Sequence, residues 1–344
     1  MKAIQFNKNF IAEIVDVPIP KANGEKVIVK VEKCGICGSD VHMYEHGSDI
    51  NHGVRPGHEF SGTVFDPGPR GDLKVGDRVL SNFLNPCGEC PACKSGNISC
   101  CTQSSVGGLG LAAAVPGGMA EYVACFPDFV YRMPDEMDFD LGALTDPAAV
   151  ALHAVNLGKV GIGSTVLVTG GGAIGLSAAI LCKRAGAAKV IMTEIQPDKL
   201  TSIPKEFPEI DAVCDARDPA LMQTLGQLSG GGFDVCVECS GSGSAMATGM
   251  YLTKVCGTVV LAGVSIEDVS LPTVMALIHE LTIKGSMGYL EEDFVTCIKL
   301  LCDPQLNFNR LISRTVGMDK VDWAFGELLH HTVPDYKIMI DVNL

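Results

Sequence analysis

Four closely spaced cysteines form the strongest local motif in the sequence. They follow the pattern Cys-x2-Cys-x2-Cys-x7-Cys, at Cys87, Cys90, Cys93 and Cys101. Four thiolates at this spacing can close a tetrahedron around Zn²⁺ and leave no open position, which is typical of a structural site. The neighbouring Cys100 is a competing ligand, but the x7 spacing favours Cys101. Lys94 is the only basic residue between positions 86 and 101, which disfavours a nucleic-acid-binding zinc ribbon.

A second set of metal-ligand residue types is spread more widely over the chain. Cys37, His58 and Asp146 would supply one thiolate, one imidazole and one carboxylate, and three such ligands leave the fourth position of a zinc ion open for chemistry. Each residue also has a simpler explanation. Cys37 could be half of a redox pair with Cys34, and His58 could be an ordinary partly buried histidine. Asp146 could cap a helix that has Pro147 at its first position.

A glycine-rich turn supplies the third chemical motif. Residues 166–168 predict a buried strand, the spacing Gly170-x-Gly172-x-x-Gly175 follows at once, and residues 173–184 predict a helix. In such a turn the first glycine makes the bend, the second lets the backbone approach a pyrophosphate, and the third lets the helix pack against the strand. The diphosphate would lie at the helix N-terminus, where free N–H groups favour an anion.

An acidic residue at the end of the next strand indicates which dinucleotide would bind. Residues 189–193 predict a second strand, and Glu194 follows it, about 20 residues past the glycines. Its carboxylate can bond both ribose hydroxyls of NAD and would repel the 2′-phosphate of NADP. A glycine-rich turn without a ligand is the simpler explanation, but the order of strand, turn, helix, strand and acid disfavours it. The sequence therefore predicts an NAD site.

The elements that must position these residues alternate along the second half of the chain. The predicted strands and helices lie at 211–214, 220–228, 233–238, 245–253, 258–262 and 281–285. This is the pattern of a doubly wound α/β domain, in which ligands bind at the carboxyl ends of the strands. The predicted dinucleotide contacts are Gly170, Gly172, Ala173, Ile174, Gly175, Glu194, Cys239, Ser240, Gly263, Val264 and Ser286. Pro204 and Pro208 should keep the helix after Glu194 short.

Length and composition bound the class of protein. A chain of 344 residues with 47% hydrophobic residues and 39 glycines suits a two-domain α/β protein with buried parallel strands. The net charge of −14 disfavours a nucleic-acid duplex or an anionic membrane as a partner. No apolar run reaches the length of a bilayer span, and residues 1–7 lack a signal peptide's apolar core. We therefore expect a cytoplasmic protein whose 15 cysteines serve as metal ligands and free thiols.

Several segments, spread nearly from end to end of the chain, together resemble one known family. They are Cys37-Gly-Ser-Asp-Val-His, Gly57-His-Glu-Phe-Ser-Gly, Val75-Gly-Asp-Arg-Val, the four-cysteine lobe at 86–101, Gly117-Gly-Met-Ala-Glu-Tyr, Asp146-Pro with Leu152-His-Ala, and the glycine turn. This combination resembles the zinc-containing medium-chain alcohol/polyol dehydrogenases, in their sorbitol, threonine and 2,3-butanediol branch. The resemblance implies a GroES-like, β-rich catalytic domain at 1–150 and 290–344. A Rossmann cofactor domain would occupy 151–289, with the active cleft between the two.

The resemblance also implies roles for individual residues. The ligands of a catalytic zinc would be Cys37, His58 and Asp146. Glu59 matches a glutamate that lies beside the metal and can enter its coordination shell. Ser39 matches the hydroxyl that passes the substrate proton outward, and Asp40 matches an acid that orients His58. Each chain would thus bind two zinc ions, one catalytic and one in the four-cysteine lobe, together with NAD.

The function that follows is zinc-dependent hydride transfer between NAD and a secondary alcohol of a small polyol, vicinal diol or cyclitol. Two alternatives are oxidation of an amino alcohol such as L-threonine, and a non-enzymatic NAD-binding role on the same fold. A zinc-free quinone or enoyl reductase is disfavoured because both metal sets are complete. Gly288 and Met43 stand where sorbitol enzymes usually carry an arginine and an aromatic residue, which disfavours a linear polyol. The family resemblance further implies a homodimer or homotetramer, with 257–283 as the candidate interface.

Overall fold

The computed structural model describes residues 1–9, 11–45, 52–102, 108–265 and 268–344. The chain divides into two units. The first consists of Met1–Asp146 and Leu290–Leu344, and the second of Pro147–Tyr289. None of the helices in these described ranges is long and apolar enough to cross a lipid bilayer.

Strands are most frequent in the first third of the chain and alternate with helices after it. The strands are β1 (Lys2–Phe6), β2 (Ala12–Asp16), β3 (Val27–Gly35), β4 (Glu59–Asp66), β5 (Arg78–Ser81), β6 (Tyr122–Cys125), β7 (Val130–Arg132), β8 (Thr165–Thr169), β9 (Lys189–Glu194), β10 (Ala212–Asp215), β11 (Phe233–Glu238), β12 (Thr253–Leu261), β13 (Thr282–Gly285), β14 (Ile312–Gly317) and β15 (Lys337–Asp341). The helices are α1 (Gly38–Glu45), α2 (Pro91–Lys94), α3 (Phe139–Gly158), α4 (Ala173–Arg184), α5 (Pro197–Glu206), α6 (Leu221–Ser229), α7 (Gly243–Leu252), α8 (Thr273–Ile278), α9 (Glu291–Leu300) and α10 (Val321–Leu329).

The first unit is built on a largely antiparallel sheet. Its strand order is β14-β15-β3-β4-β5-β7, β6 pairs with β3, and β1 and β2 form a separate hairpin. Side chains alternate between the two faces of a strand, so Val27, Val29 and Val31 of β3 all enter one hydrophobic core. β3 ends at Gly35, two residues before Cys37, and this central strand therefore positions the start of α1.

The second unit is a parallel sheet in the order β10-β9-β8-β11-β12-β13. Leu167, Ile191 and Val259 are fully buried in its core, as expected for strands covered by helices on both faces. The strand order reverses between β8 and β11, so the turns after these two strands lie side by side at one edge. The predicted α/β fold class is confirmed. The helix predicted at 173–184 has the bounds of α4, and β8 extends the strand predicted at 166–168 by one residue at each end.

Two local expectations need correction. Pro147 does not begin a helix but lies inside α3, so the helix-cap explanation of Asp146 is wrong. Pro204 likewise lies inside α5 and does not end it. A proline inside a helix removes one intrahelical hydrogen bond, and in the last turn of α5 the N–H of Phe207 still donates to Ile203 O at 2.8 Å. The helix is nevertheless short, as expected, because it ends before Pro208.

Candidate metal and dinucleotide sites

The four cysteines of the lobe come together in space. Their Sγ atoms all lie within 4.8 Å of one another, and the set comprises Cys87, Cys90, Cys93 and Cys101. Backbone N–H groups point at the sulfurs, as from Cys90 to Cys87 Sγ at 3.3 Å and from Cys93 to Cys90 Sγ at 3.5 Å. The Cys93 N–H lowers the pKa of Cys90 to about 6, whereas burial raises the pKa of Cys93 to about 12. Cys100 is exposed and outside the set. The donor chemistry fits a closed zinc site.

Three residues of the second set also converge. Cys37 Sγ, a ring nitrogen of His58 and a carboxylate oxygen of Glu59 lie within 4.8 Å of one another. Cys37 directly precedes α1, and His58 directly precedes β4. Gly57 permits this approach because its φ is +99° and a Cβ there would lie 2.8 Å from Cys34 Sγ. One thiolate, one imidazole and one carboxylate form a donor set that fits a zinc ion.

Asp40 organises the segments that carry these ligands. It is fully buried, and its carboxylate accepts hydrogen bonds from the N–H of Cys37 at 3.0 Å and of Gly57 at 3.3 Å. Its Oδ1 lies 3.6 Å from His58 Nδ1. The imidazole therefore turns Nδ1 towards the acid and leaves Nε2, 3.5 Å from Ser39 Oγ, for a metal.

The buried charges around this set shift one another's proton affinities. Burial raises the pKa of the Asp40 carboxyl. Burial alone would lower the pKa of His58, but the negative charges of Asp40 and Cys37 outweigh it and hold that pKa well above its usual value. The neighbouring Asp40 and Cys37 thus favour positive charge at the position of His58.

Lys337 is a functional neighbour that sequence reasoning missed. Its Nζ donates to Glu59 Oε1 at 2.8 Å and Oε2 at 2.6 Å, and to Ile36 O at 2.8 Å. Lys337 and Glu59 are 4% and 1% exposed, so the ion pair lies out of water. Burial lowers the pKa of Lys337, but Glu59 raises it above its usual value. A lysine beside the apolar run of β15 was the only sequence signal.

Asp146 is not part of the set that the structure brings together. It is buried, and its charge contributes to raising the pKa of His58. Its carboxylate nevertheless lies outside the group of ligand atoms within 4.8 Å that Cys37, His58 and Glu59 form. Asp146 lies inside α3, whereas Cys37, His58 and Glu59 lie around the starts of α1 and β4. Its role as third ligand stays a prediction.

The glycine turn has the backbone that a dinucleotide requires. Gly170 has a φ of +90°, a conformation that side-chain-bearing residues rarely adopt. A Cβ at Gly175 would lie 1.9 Å from Gly170 O, so α4 could not pack so closely with any other residue. At Gly172 nothing lies within 4 Å of a Cβ position, which leaves an open cradle beside the N-terminus of α4. An anionic diphosphate fits such a cradle.

Glu194 is fixed beside the glycine turn. It ends β9 and is 6% exposed. Its Oε2 accepts from the Gly171 N–H at 2.8 Å, and its Oε1 accepts from the N–H groups of Ile195 at 2.6 Å and Gln196 at 2.9 Å. These bonds hold the carboxylate at the carboxyl end of the strand, where hydroxyl groups of a ligand can donate to it.

The other predicted dinucleotide residues lie at the carboxyl ends of strands in the same sheet. Ala173 and Ile174 begin α4, whereas the rest follow β11, β12 and β13, namely Cys239, Ser240, Gly263, Val264 and Ser286. The Cys239 N–H donates to Thr169 O at 3.0 Å, which joins the turns after β8 and β11. The structure adds Glu238, a fully buried carboxylate between these turns. Its signal in the sequence was an acid at the end of an apolar strand.

The chain combines a doubly wound sheet that has an open glycine turn with two sets of thiolate and imidazole ligands. This combination is typical of a zinc-binding dehydrogenase. Comparisons with known proteins agree. Residues 23–135 match the alcohol dehydrogenase GroES-like domain, and residues 173–303 match the zinc-binding dehydrogenase domain. D-xylulose reductase A of Aspergillus niger is 33% identical over 329 residues, which cover 91% of this chain and 89% of that protein.

Solved structures give the same result. A dehydrogenase from Sinorhizobium meliloti, determined with NADP, is 29% identical with a TM-score of 0.91, covering 99% of this chain and 98% of that one. The 2R,3R-butanediol dehydrogenase of Bacillus subtilis is 28% identical with a TM-score of 0.87, covering 99% of each chain. The chain belongs to the zinc-containing medium-chain alcohol/polyol dehydrogenase family. It is an NAD(P)-dependent, zinc-binding oxidoreductase.

Proposed function

We propose that the protein oxidises a secondary alcohol of a small polyol, vicinal diol or cyclitol with NAD. The observation that carries this proposal is the convergence of Cys37, His58 and Glu59 within 4.8 Å. A purely structural or NAD-sensing protein would not need an incomplete ligand set of this kind. The names of the relatives support the substrate class, because they denote a xylulose reductase and a butanediol dehydrogenase. These relatives do not favour the L-threonine alternative.

NAD rather than NADP is the proposed cofactor. Glu194 is held by three backbone N–H groups and carries its charge at the end of β9. A carboxylate there accepts hydrogen bonds from both ribose hydroxyls and repels a 2′-phosphate. The structure of the S. meliloti relative contains NADP, so the proposed preference of this chain for NAD rests on Glu194 and not on that relative.

The chain's own residues would bind the reactants and move the substrate proton. Bound zinc would act as a Lewis acid on the substrate hydroxyl, and bound NAD would accept the hydride. Cys37 and His58 would hold the metal, with Asp146 or Glu59 completing the protein ligands. Asp40, whose Oδ1 lies 3.6 Å from His58 Nδ1, would orient the imidazole, and Ser39 Oγ would pass the substrate proton outward. Lys337 donates to both oxygens of Glu59, so Glu59 as a ligand would bind the metal through an oxygen that also accepts from the lysine or is released by it.

We also propose a homo-oligomer formed through the second unit. β13 is an edge strand of the parallel sheet, and α8 precedes it. Apolar side chains are exposed here, namely Val274 at 62%, Leu277 at 74%, Ile278 at 56% and Ile283 at 41%. Exposed apolar edges of this kind normally pair with another chain. A second copy would extend the sheet and cover these side chains.

A cytoplasmic location completes the proposal. All 15 cysteines are free thiols in the structure. A reducing compartment keeps thiols in this state and preserves thiolates as metal ligands.

Initial rates of NAD reduction on an alcohol panel would test the function. The panel should contain sorbitol, xylitol, threonine, 2,3-butanediol and myo-inositol, assayed with NAD and NADP and with and without prior chelation. We expect one secondary alcohol to be preferred, chelator-sensitive turnover, NAD favoured over NADP, and two zinc ions per chain. Folded, freshly prepared protein without zinc, or preference for threonine, would contradict the proposal.

A ligand variant with a matched control sharpens this test. Cys37→Ser should lower turnover by more than about 100-fold, because even outer partners of metal ligands cost about 10- to 100-fold. It should also lose one zinc ion per chain. Cys100→Ser, at an exposed thiol outside both sets, should keep both the activity and the metal. If Cys37→Ser keeps normal turnover and a normal zinc content, Cys37 is not a ligand of a catalytic zinc.

A further inference from the structure

Glu238 is a buried carboxylate that the chemistry described above does not use. It is the last residue of β11, is fully buried, and pairs in register with Thr169 of β8 and Leu261 of β12. No basic side chain of the described residues forms an ion pair with it. Burying a carboxylate is costly unless hydrogen bonds compensate. The hydrogen bonds that Glu238 accepts must therefore compensate for its burial.

The hydrogen bonds to Glu238 come from two turns at the same edge of the sheet. Its Oε1 accepts from Thr169 Oγ1 at 3.1 Å, Ser240 N–H at 2.7 Å, Ser240 Oγ at 2.5 Å and Gly241 N–H at 3.0 Å. Thr169 directly precedes Gly170 of the glycine turn, whereas Ser240 and Gly241 belong to the turn after β11. One oxygen thus ties both turns together across the point where the strand order reverses.

The turns around this carboxylate also lie in close contact with one another. A Cβ at Gly170 would lie 3.2 Å from Ser240, and a Cβ at Gly263 would lie 2.8 Å from Glu238 Oε2 and 2.1 Å from Gly241 N. The turns after β8, β11 and β12 therefore pack so closely around Glu238 that side chains at Gly170 and Gly263 would clash with their neighbours. Ser240 is exposed although its N–H and Oγ are both bonded inward. The exposed turn at 239–241 is thus held in place by the buried carboxylate of Glu238.

We propose that Glu238 is a positioning residue for the dinucleotide, which fixes the turn at 239–241 relative to the glycine turn. It does not touch the cofactor, because it is fully buried. Its charge strengthens every donor bond, since hydrogen bonds to an ionised acceptor are about twice as strong as neutral ones. This inference rests on the proposed NAD site and assigns the rigidity of that site to one side chain.

Titration of NADH binding by fluorescence tests the proposal without relying on turnover. Glu238→Gln keeps the size but loses the charge, and we expect NADH to bind about tenfold more weakly. Thr169→Val removes the bond from β8 and should also weaken binding, whereas Thr169→Ser keeps the hydroxyl and should bind like the wild type. The double variant Glu238→Gln with Thr169→Val should lose less affinity than the sum of the two single variants, because the hydroxyl acts through the side chain at position 238.

Two further readouts separate positioning from general stability. The KM for NAD should rise in Glu238→Gln while kcat at saturating NAD stays within about twofold. Hydrogen exchange of the Ser240 and Gly241 amides should accelerate without cofactor. Thr253→Val is the matched control, since Thr253 is equally buried in the same sheet and loses a hydrogen bond to Gly249 O at the opposite end. It should leave NADH affinity unchanged.

Each outcome has a definite meaning. Wild-type affinity in both Glu238→Gln and Thr169→Val would overturn the positioning role and leave the NAD site standing. Equal weakening by Thr253→Val would also overturn it, because a loss of stability would then suffice. A wild-type protein that does not bind NADH would overturn both this inference and the proposed cofactor. If Glu238→Gln does not fold, the contrast between Thr169→Val and Thr169→Ser decides.

Discussion

At the scale of single residues, the candidate metal site depends on charges that are buried in pairs. Lys337 contacts both oxygens of Glu59, and both side chains are almost completely removed from water. A buried pair adds little net stability over an apolar pair, but removing one partner leaves an uncompensated charge. Glu59 therefore depends on a residue 278 positions away in the sequence.

Lys337→Met is predicted to destabilise the protein by about 3 kcal/mol, because it leaves the Glu59 carboxylate buried without its cation. Urea unfolding followed by circular dichroism would measure the change. Lys33→Met is the matched control, since Lys33 and Asp341 form a 2.8 Å pair whose side chains are about one-fifth exposed. Such partly solvated pairs contribute about 1 kcal/mol or less. Equal losses in the two variants would show that burial of the Glu59 pair does not matter.

At the scale of secondary-structure elements, α1 must be held so that Cys37, Ser39 and Asp40 keep their places. Tyr44, at its far end, donates its hydroxyl to Asp322 Oδ1 of α10 at 3.1 Å. Its ring stacks on Phe325 with centroids 5.1 Å apart. The same Asp322 oxygen accepts from the Ala12 N–H at 2.8 Å. One polar contact and one aromatic contact thus fix α1 against α10.

Tyr44→Phe is predicted to cost about 1 kcal/mol at neutral pH, because one hydrogen bond is lost and Asp322 keeps its other donor. Burial and the neighbouring Asp322 raise the pKa of Tyr44 to about 12 from an ordinary value of 10.0. The unfolded chain therefore loses this proton first as the pH rises. Stability linked to Tyr44 is present below about pH 10 and is lost between about pH 10 and 12.

Unfolding free energies measured from pH 9 to 12 would check this linkage. The decline above pH 10 should be shallower in Tyr44→Phe than in the wild type. Tyr251→Phe serves as the control because that side chain is 47% exposed, and it should leave the wild-type slope unchanged. An unchanged slope in Tyr44→Phe would mean that another group dominates the alkaline range.

At the scale of the whole molecule, the exposed apolar edge of the second unit predicts self-association. Leu277→Asp should shift the molar mass in solution towards that of one 36.2 kDa chain, because a charge would be buried in the contact. Light scattering after gel filtration would measure it. Ile162→Asp is the control, since Ile162 is 98% exposed and belongs to the segment between α3 and β8, not to α8 or β13. A wild-type protein that is already monomeric would contradict the interface.

Local sequence patterns were sufficient to predict most of the second unit. The bend at Gly170, the packing of Gly175 and the helix that follows depend on residues within a short window, so their chemistry is visible in the sequence. The four-cysteine lobe is equally local. The helix boundaries predicted from prolines were wrong, because Pro147 and Pro204 both lie inside helices. Tertiary packing can compensate for a proline inside a helix.

The sequence by itself determined the residue types that can bind zinc and a dinucleotide, because short spacing restricts which atoms can meet. Tertiary structure decided which distant groups join them. The pairing of Ile340 with Cys34 places β15 beside β3 and so delivers Lys337 to Glu59. Asp146, inside α3, lies outside the converged set, and the parallel register of β8 and β11 places Glu238 between two turns. Strand register depends on packing over the whole chain, so the local spacing of residues in the sequence does not predict it.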